Sequence, residues 1–215
     1  MLEPNETRNG LKLTDRATLS LLATLEEGEP VTQRSLAARI GVALGLTNSL
    51  LKRAVRKGLV KVQQVPAKRY AYFVTPKGFS EKGRLVAEYL SSSLTFFRQA
   101  RREYEDLYEL ILARGHKRVL LYGAGELAEI AVMSALSSEV ELVAVAHSGS
   151  NLETFSGLPV LSTMDALLAT GVEAVVITSA DNPQQAYEDL LEHLPSDAIF
   201  FAPLQHITRN NNGGE

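Results

Sequence analysis

The apolar-rich run Arg118–Tyr122 passes directly into Gly123-Ala124-Gly125-Glu126-Leu127-Ala128. A short β-forming run, a G-x-G-x-x-A turn and a helix-forming segment in that order fit a βα unit of a parallel sheet and little else. Gly123 permits the tight turn, Gly125 lets a phosphate approach the backbone, and Ala128 allows close helix–strand packing. The helix start adds free N–H groups and a positive dipole end, which suit a pyrophosphate. A glycine turn that merely joins strand to helix is the plainer alternative. Downstream, short apolar runs at 140–146, 158–161, 174–178 and 198–201 alternate with helix-like stretches at 127–136, 164–170 and 184–193. That alternation predicts an α/β Rossmann-like domain with a parallel sheet and right-handed crossovers over 116–206. The residues 207–215, ending in NNNGGE, are expected to be a disordered tail.

Charge divides the chain at the same place. Residues 1–115 hold 19 Lys and Arg against 12 Asp and Glu, whereas residues 116–215 hold 3 against 13. Between 31 and 84 twelve basic residues face one acidic residue, Glu81. A segment so poor in carboxylates has the footprint of a polyanion-binding surface, although a solvated basic face carries the same pattern. The acidic half would repel nucleic acid, so any DNA contact is expected in the N-terminal part.

That part reads as an α+β winged helix-turn-helix domain, 1–79. Leu19, Leu22 and Leu25 mark one helix, with Thr14 or Asp15 as its N-cap and Gly28 and Pro30 as its stop. A short helix starts at Thr32-Gln33-Arg34-Ser35 with Leu36, Ala37 and Ile40 inward, and Gly41 ends it. A third helix spans about 43–57 with Leu46, Leu50, Leu51 and Val55 as the apolar stripe. Short helix, glycine turn and longer helix have helix-turn-helix spacing. Extended segments at 59–65 and 70–74 then flank Pro66-Ala67-Lys68-Arg69, a basic-tipped hairpin where a wing belongs.

In this arrangement the third helix enters the major groove of double-stranded DNA. Thr47, Asn48 and Ser49 are short enough to reach base edges, and Lys52, Arg53 and Arg56 would meet phosphates. Gln33, Arg34 and Ser35 begin the preceding helix, whose N–H groups favour a phosphate. Lys68 and Arg69 would touch the minor groove or backbone.

A helix without proline is expected over 80–114, as a linker and dimerisation segment, 80–115. Leu90, Leu94, Phe97, Arg101, Tyr104, Tyr108 and Ile111 step by 4, 3, 4, 3, 4 and 3, a heptad seam. The seam fits a homodimer reading two half-sites. Equally, it could pack on the chain's own domains. In a dimer Arg101 needs a partner such as Glu105.

The stretches TQRSLAARIGVALGLTNSLLKRAVRKGLVKV and RYAYFVTPKGFSEKGRLVAEYL resemble the exopolysaccharide-associated branch of MarR-type regulators. The stretches VLLYGAGELAEIA, GLPVLSTMDALLATGVEAVVITSA and AIFFAP resemble the ligand-binding domain of CoA-binding proteins and Rex-type redox-sensing repressors. They are similar also to the nucleotide-sugar-binding domain of polysaccharide-modifying enzymes. The joint resemblance implies a transcription regulator that senses a nucleotide-type metabolite: NAD(H), NADP(H), CoA or a nucleotide-sugar. The ligand would lie on Gly123, Ala124, Gly125, Glu126 and Leu127, with His147 and Ser148 at the ribose and Thr178 and Ser179 lining the crevice. The sequence departs from the NAD pattern where the second strand ends in Ala146-His147-Ser148, with no acidic residue for the ribose 2′-hydroxyl.

Catalysis has little support. The four histidines are scattered without metal-ligand spacing, no nucleophile elbow is present, and cysteine is absent. A nucleotide-sugar enzyme with a winged-helix docking module, or a Rossmann-like dimerisation scaffold without ligand, are the alternatives. No apolar run reaches membrane-spanning length, and MLEPNETRNG lacks a secretion-signal core, so a cytoplasmic location is expected.

Overall fold

The computed structural model describes residues 7–8, 11–26, 32–65, 69–147, 152–162 and 171–209. Two compact units make up the chain, Met1–Phe96 and Phe97–Glu215. The division falls inside one long helix, so the expected linker 80–115 is shared between them.

In the first unit β1 (Thr7–Arg8) and β2 (Leu11–Lys12) form a small antiparallel pair. They lead into α1 (Leu13–Glu26), which places Thr14 and Asp15 in its first turn rather than at an N-cap. α2 (Gln33–Ile40) is capped by Thr32, whose hydroxyl accepts the Ser35 N–H, while Ser35 Oγ accepts the Thr32 N–H. Gly41 ends it in the left-handed region, at φ 69°. α3 (Leu44–Arg56) follows after two residues. β3 (Val60–Val65) and β4 (Arg69–Val74) pair antiparallel in register from Val60–Val74 to Val65–Arg69. The hairpin tip 66–68 lies outside the described residues. Leu21, Leu22, Leu36, Leu50, Leu51, Ala54 and Leu59 close the core, with Tyr72 and Val74 packed on it.

The buried stripe of α3 is Thr47, Leu50, Leu51 and Ala54. Leu46 and Val55, expected inside, are exposed. The buried arc keeps its direction but is narrower than expected: Leu46 and Val55 lie at its two edges, and Thr47 and Ala54 take its middle, where the Thr47 hydroxyl donates to the Ala43 carbonyl and leaves its methyl to pack.

α4 (Pro76–Ala113) begins four residues before the expected start, with Pro76 at a position where no N–H is needed. Gly115, at φ 82°, lies just beyond its end. Its heptad seam is not used as one surface. Tyr104, Tyr108 and Ile111 are fully buried in the second unit, where the Tyr108 hydroxyl donates to the Ala131 carbonyl. Leu90 and Leu94 stand 53% and 52% exposed in the first unit. Arg101 pairs with Glu105 across one turn.

The second unit contains β5 (Arg118–Tyr122), α5 (Glu126–Ala135), β6 (Glu141–Ala146), β7 (Thr154–Phe155), β8 (Leu158–Leu161), β9 (Ala174–Ile177), α6 (Pro183–Leu191) and β10 (Ile199–Phe201). A 3₁₀ turn, Pro203–Gln205, ends it. The sheet order is β10-β9-β5-β6-β8-β7, all parallel except the β7–β8 pair at the edge. The short β7 lies between the apolar runs expected at 140–146 and 158–161, and its two residues are too few to show a pattern. The helix expected at 164–170 lies outside the described residues, as do residues 210–215 of the tail expected at 207–215; within that tail Thr208 exchanges hydrogen bonds with Gln184, and Arg209 donates to the Ile199 carbonyl.

Leu120, Ala144, Ala146, Val175, Ile177 and Ile199 pack with Ala186, Tyr187 and Leu190 of α6 on one face of the sheet. Their neighbours Val119, Leu121, Val145, Val176 and Phe200 are buried too, so the strands are covered on both faces, as parallel strands require. Arg114 of α4 lies over the Phe200 ring.

Candidate nucleic-acid interface and ligand crevice

α3 turns one arc to solvent, and that arc carries Ser49, Lys52, Arg53 and Arg56, all exposed. No carboxylate pairs with these three cations among the described residues. Unpaired cations at this spacing on one helix are available to phosphates. Arg34 is exposed at the start of α2.

The expected base-reading trio separates. Thr47 is a correction: it is fully buried with its hydroxyl on Ala43, so it has no exposed surface with which to reach a base. Ser49 stays on the open face, with its hydroxyl turned back to the Gly45 carbonyl. Asn48 is half-buried and turned toward the hairpin, where its Oδ1 has no hydrogen-bond partner among the described residues. Ser35 sits in the capping box, so its N–H is already engaged. Gln33 Nε2 reaches the Tyr72 hydroxyl at 3.5 Å. Lys68 lies outside the described residues, and Arg69 is placed only by its backbone at the start of β4.

Asn48 and Gln33 both line a cavity of about 370 Å³ between α3 and the hairpin. Leu51, Val55, Val62, Tyr70 and Tyr72 form its walls. Sequence reading missed it. The available signal was the alternation in β4, which puts Tyr70 and Tyr72 on the same face of the hairpin.

In the second unit the strand order reverses direction between β5 and β9. A crevice outside the carboxyl ends of the strands belongs at such a switch point. Gly123 sits there at φ 115°, and a Cβ on it would lie 2.7 Å from the Ser179 nitrogen and 2.9 Å from its Cα. The Gly123 N–H donates to the Ala146 carbonyl, and the Thr178 hydroxyl donates to the Gly123 carbonyl at 2.6 Å. Thus the glycine ties three strand ends together.

Gly125 differs. It is the N-cap of α5 in extended backbone, with no side-chain cap and open space around a would-be Cβ. The α5 amides therefore have room for an acceptor from outside. Ala124 is half-buried beside it, and Glu126 is exposed in the first turn.

Two crevice assignments are corrected by burial. The Leu127 side chain is in the core, leaving only its backbone for a ligand. Thr178 is buried, with its hydroxyl held by Gly123. Ser179 is half-buried, and its carbonyl accepts from Gln205 Nε2. His147 is half-buried, with its N–H on the Leu161 carbonyl, and Ser148 lies outside the described residues. Tyr122 ends β5, its hydroxyl pKa pushed up by burial and then by the nearby Asp189 carboxylate. Among the described residues no cluster of His, Asp or Glu fits a metal ion, and no helix is long and apolar enough to cross a membrane.

Residues 14–61 match the family profile of winged helix-turn-helix DNA-binding domains. The matched residues run from α1 to the start of β3, and the three helices and hairpin of the first unit have that winged helix-turn-helix architecture. No curated protein sequence matches the chain. Among solved structures, it is similar to the PcaV transcriptional regulator from Streptomyces coelicolor, at 20% identity and a TM-score of 0.36 over 38% of this chain and 62% of that one. A MarR-family transcriptional regulator from Rhodococcus sp. RHA1 gives 22% identity and a TM-score of 0.34, over 41% and 62%. The MepR–DNA complex of S. aureus gives 18% and 0.34, over 41% and 64%. The chain thus spans less than two thirds of each of these neighbours.

Proposed function

We propose that this protein is a dimeric, non-catalytic transcription regulator whose winged helix binds duplex DNA and whose second unit is a Rossmann-like sensor of a nucleotide-type metabolite. The observation that carries the reading is the exposed face of α3, where Lys52, Arg53 and Arg56 stand without carboxylate partners inside a winged helix-turn-helix. Lys52, Arg53, Arg56 and Arg34 take phosphates, and Ser49 is the remaining polar candidate for a base edge.

The strand order β10-β9-β5-β6-β8 supports the Rossmann-like reading, since it is the doubly wound order with its switch point at Gly123. The uncapped α5 start and the open space at Gly125 suit a phosphate. With no acidic side chain after β6, ribose recognition falls to His147 and Ser148. This favours a nucleotide other than plain NAD, and NAD(H), NADP(H), CoA and nucleotide-sugars form the test set.

Leu90 and Leu94 supply the dimer contact, confined to the first half of α4 because the second half of the seam is already buried. An effector changes DNA affinity only so far as it binds the two arrangements of the dimer unequally. A thermal-shift scan of the full chain against the test set checks the sensor. A saturable rise with one compound names its class. No shift with any of them refutes sensing and leaves the second unit a scaffold.

A further inference from the structure

The turn that closes the second unit belongs to neither assigned site, yet one of its side chains reaches the crevice. We infer that Pro203–Gln205 is a latch that ties the crevice wall at Ser179 to α4, with Gln205 and Glu103 as its positioning residues.

Gln205 is buried, and a buried amide needs partners at both ends. Its Oε1 accepts the Ala202 N–H at 3.2 Å, and its Nε2 donates to the Ser179 carbonyl at 3.1 Å. The two bonds together fix which end of the amide faces the crevice wall. One residue earlier, the Leu204 N–H donates to Glu103 Oε2 at 2.7 Å. Glu103 Oε1 accepts from Gln99 Nε2, one turn back on α4, so the carboxylate is held at both oxygens. A backbone N–H on a carboxylate makes a charge-assisted bond, stronger than a neutral one. The turn is thereby bonded to α4 on one side and to the crevice wall on the other. His206, directly after it, stands at φ 51°, a conformation that costs an L residue free energy. A turn in that conformation keeps its shape while its neighbours hold it, so losing either bond loosens the other.

Ser179 is where an occupant of the crevice is felt. A Cβ on Gly123 would lie 2.7 Å from the Ser179 nitrogen, so the two backbones already touch. The Thr178 hydroxyl also holds the Gly123 carbonyl. A Gly123–Gly125 turn that shifts around a phosphate therefore moves Ser179, and Ser179 pulls on Gln205. Leu204 carries that movement to Glu103, on the helix that both units share. The nucleotide in this account rests on the sensor reading above, whereas the linkage from Ser179 to Glu103 does not.

Hydrogen exchange of the full-length protein tests it, read at two amides: Thr178, which donates to the Tyr122 carbonyl, and Leu204. Gln205→Met fills the same space and removes both amide bonds. Glu103→Ala removes the acceptor for Leu204, and Glu103→Gln keeps one. Gln205→Met should speed exchange at Leu204, and Glu103→Ala should speed it at Thr178, each by about tenfold. Glu103→Gln should restore the slow rate at Thr178. The double variant Glu103→Ala with Gln205→Met should exchange at Thr178 no faster than Gln205→Met alone. Independent losses would instead multiply, to about a hundredfold. That multiplication, or a Thr178 rate indifferent to Glu103→Ala, overturns the latch. Folding is checked by circular dichroism; if Gln205→Met does not fold, the Thr178 rate in Glu103→Ala and its rescue by Glu103→Gln decide alone.

NADH, NADPH, CoA and UDP-glucose are then added in turn. A compound that binds should change the Leu204 rate in the unaltered protein but not in Gln205→Met at saturation. Binding that leaves Leu204 unchanged overturns the transmission. If none of the four binds, the sensor reading fails, and the variant series still decides the latch.

Discussion

Replacing Gly123 with alanine should destabilise the second unit by about 3 kcal/mol or more, while the same change at Gly125 should be nearly neutral. At φ 115° an L side chain is strained, costing about 1–3 kcal/mol. The new Cβ would also lie 2.7 and 2.9 Å from the Ser179 backbone. Relieving that contact costs about 1–3 kcal/mol more, as overpacking does. It also moves Thr178, whose hydroxyl holds the Gly123 carbonyl. Gly125 has extended backbone and open space, so alanine there trades a weaker N-cap, at about 1 kcal/mol or less, against a smaller entropy loss of about 0.4–1 kcal/mol. A two-unit chain need not unfold in one transition, so hydrogen exchange of peptides covering β9 is the suitable assay. Gly123→Ala should speed exchange there by about a hundredfold, at 1.4 kcal/mol per tenfold. Equal exchange in the two variants would refute the argument that Gly123 is structural and Gly125 is the open position.

Further outcomes follow from single contacts. Lys52→Ala with Arg53→Ala should weaken DNA binding on all sequences and reduce the slope of log K against log salt by about 1.8, the value for two lost phosphate contacts; an unchanged slope removes them from the interface. Gly125→Asp should abolish a thermal shift found with any nucleotide while leaving β9 exchange unchanged, and a retained shift refutes the phosphate role. Leu90→Glu with Leu94→Glu should give a monomer in light scattering. The Tyr104 hydroxyl is buried without a hydrogen-bond partner among the described residues, so Tyr104→Phe should be neutral or stabilising, whereas Tyr108→Phe loses the bond to Ala131 and should cost about 1 kcal/mol. Glu173 accepts the N–H groups of Lys117 and Arg118, in that order of effect, which holds its carboxyl below the ordinary value of 4.5. Its contribution is present above 4.5 and lost as pH falls through the lowered value, so Glu173→Gln should flatten this part of the acid limb in β9 exchange.

What was legible in the sequence depended on how local its cause was. The β5–glycine–α5 junction, Gly41 and the hairpin follow from backbone preferences and strand patterning, and all stand near their expected places. The α4 seam was legible as a stripe but not as two stripes. Periodicity reports that a face is apolar, not which neighbour covers it, and Tyr104, Tyr108 and Ile111 are covered by their own unit. Thr47 misled because a hydroxyl that bonds back to Ala43 lets a polar residue face the core. Thr178 misled likewise, since its bond to Gly123 joins residues far apart in the chain. The cavity at Asn48 was illegible for a similar reason, as helix and hairpin pack only in the folded unit.

Binding of DNA by the α3 face can be read in solution by fluorescence anisotropy of a labelled duplex, titrated with the full-length protein at low and at moderate salt. Saturable binding that weakens steeply with salt is expected, as release of counterions from several phosphates requires. No binding at low salt and micromolar protein, with the winged helix shown folded by circular dichroism, would contradict it.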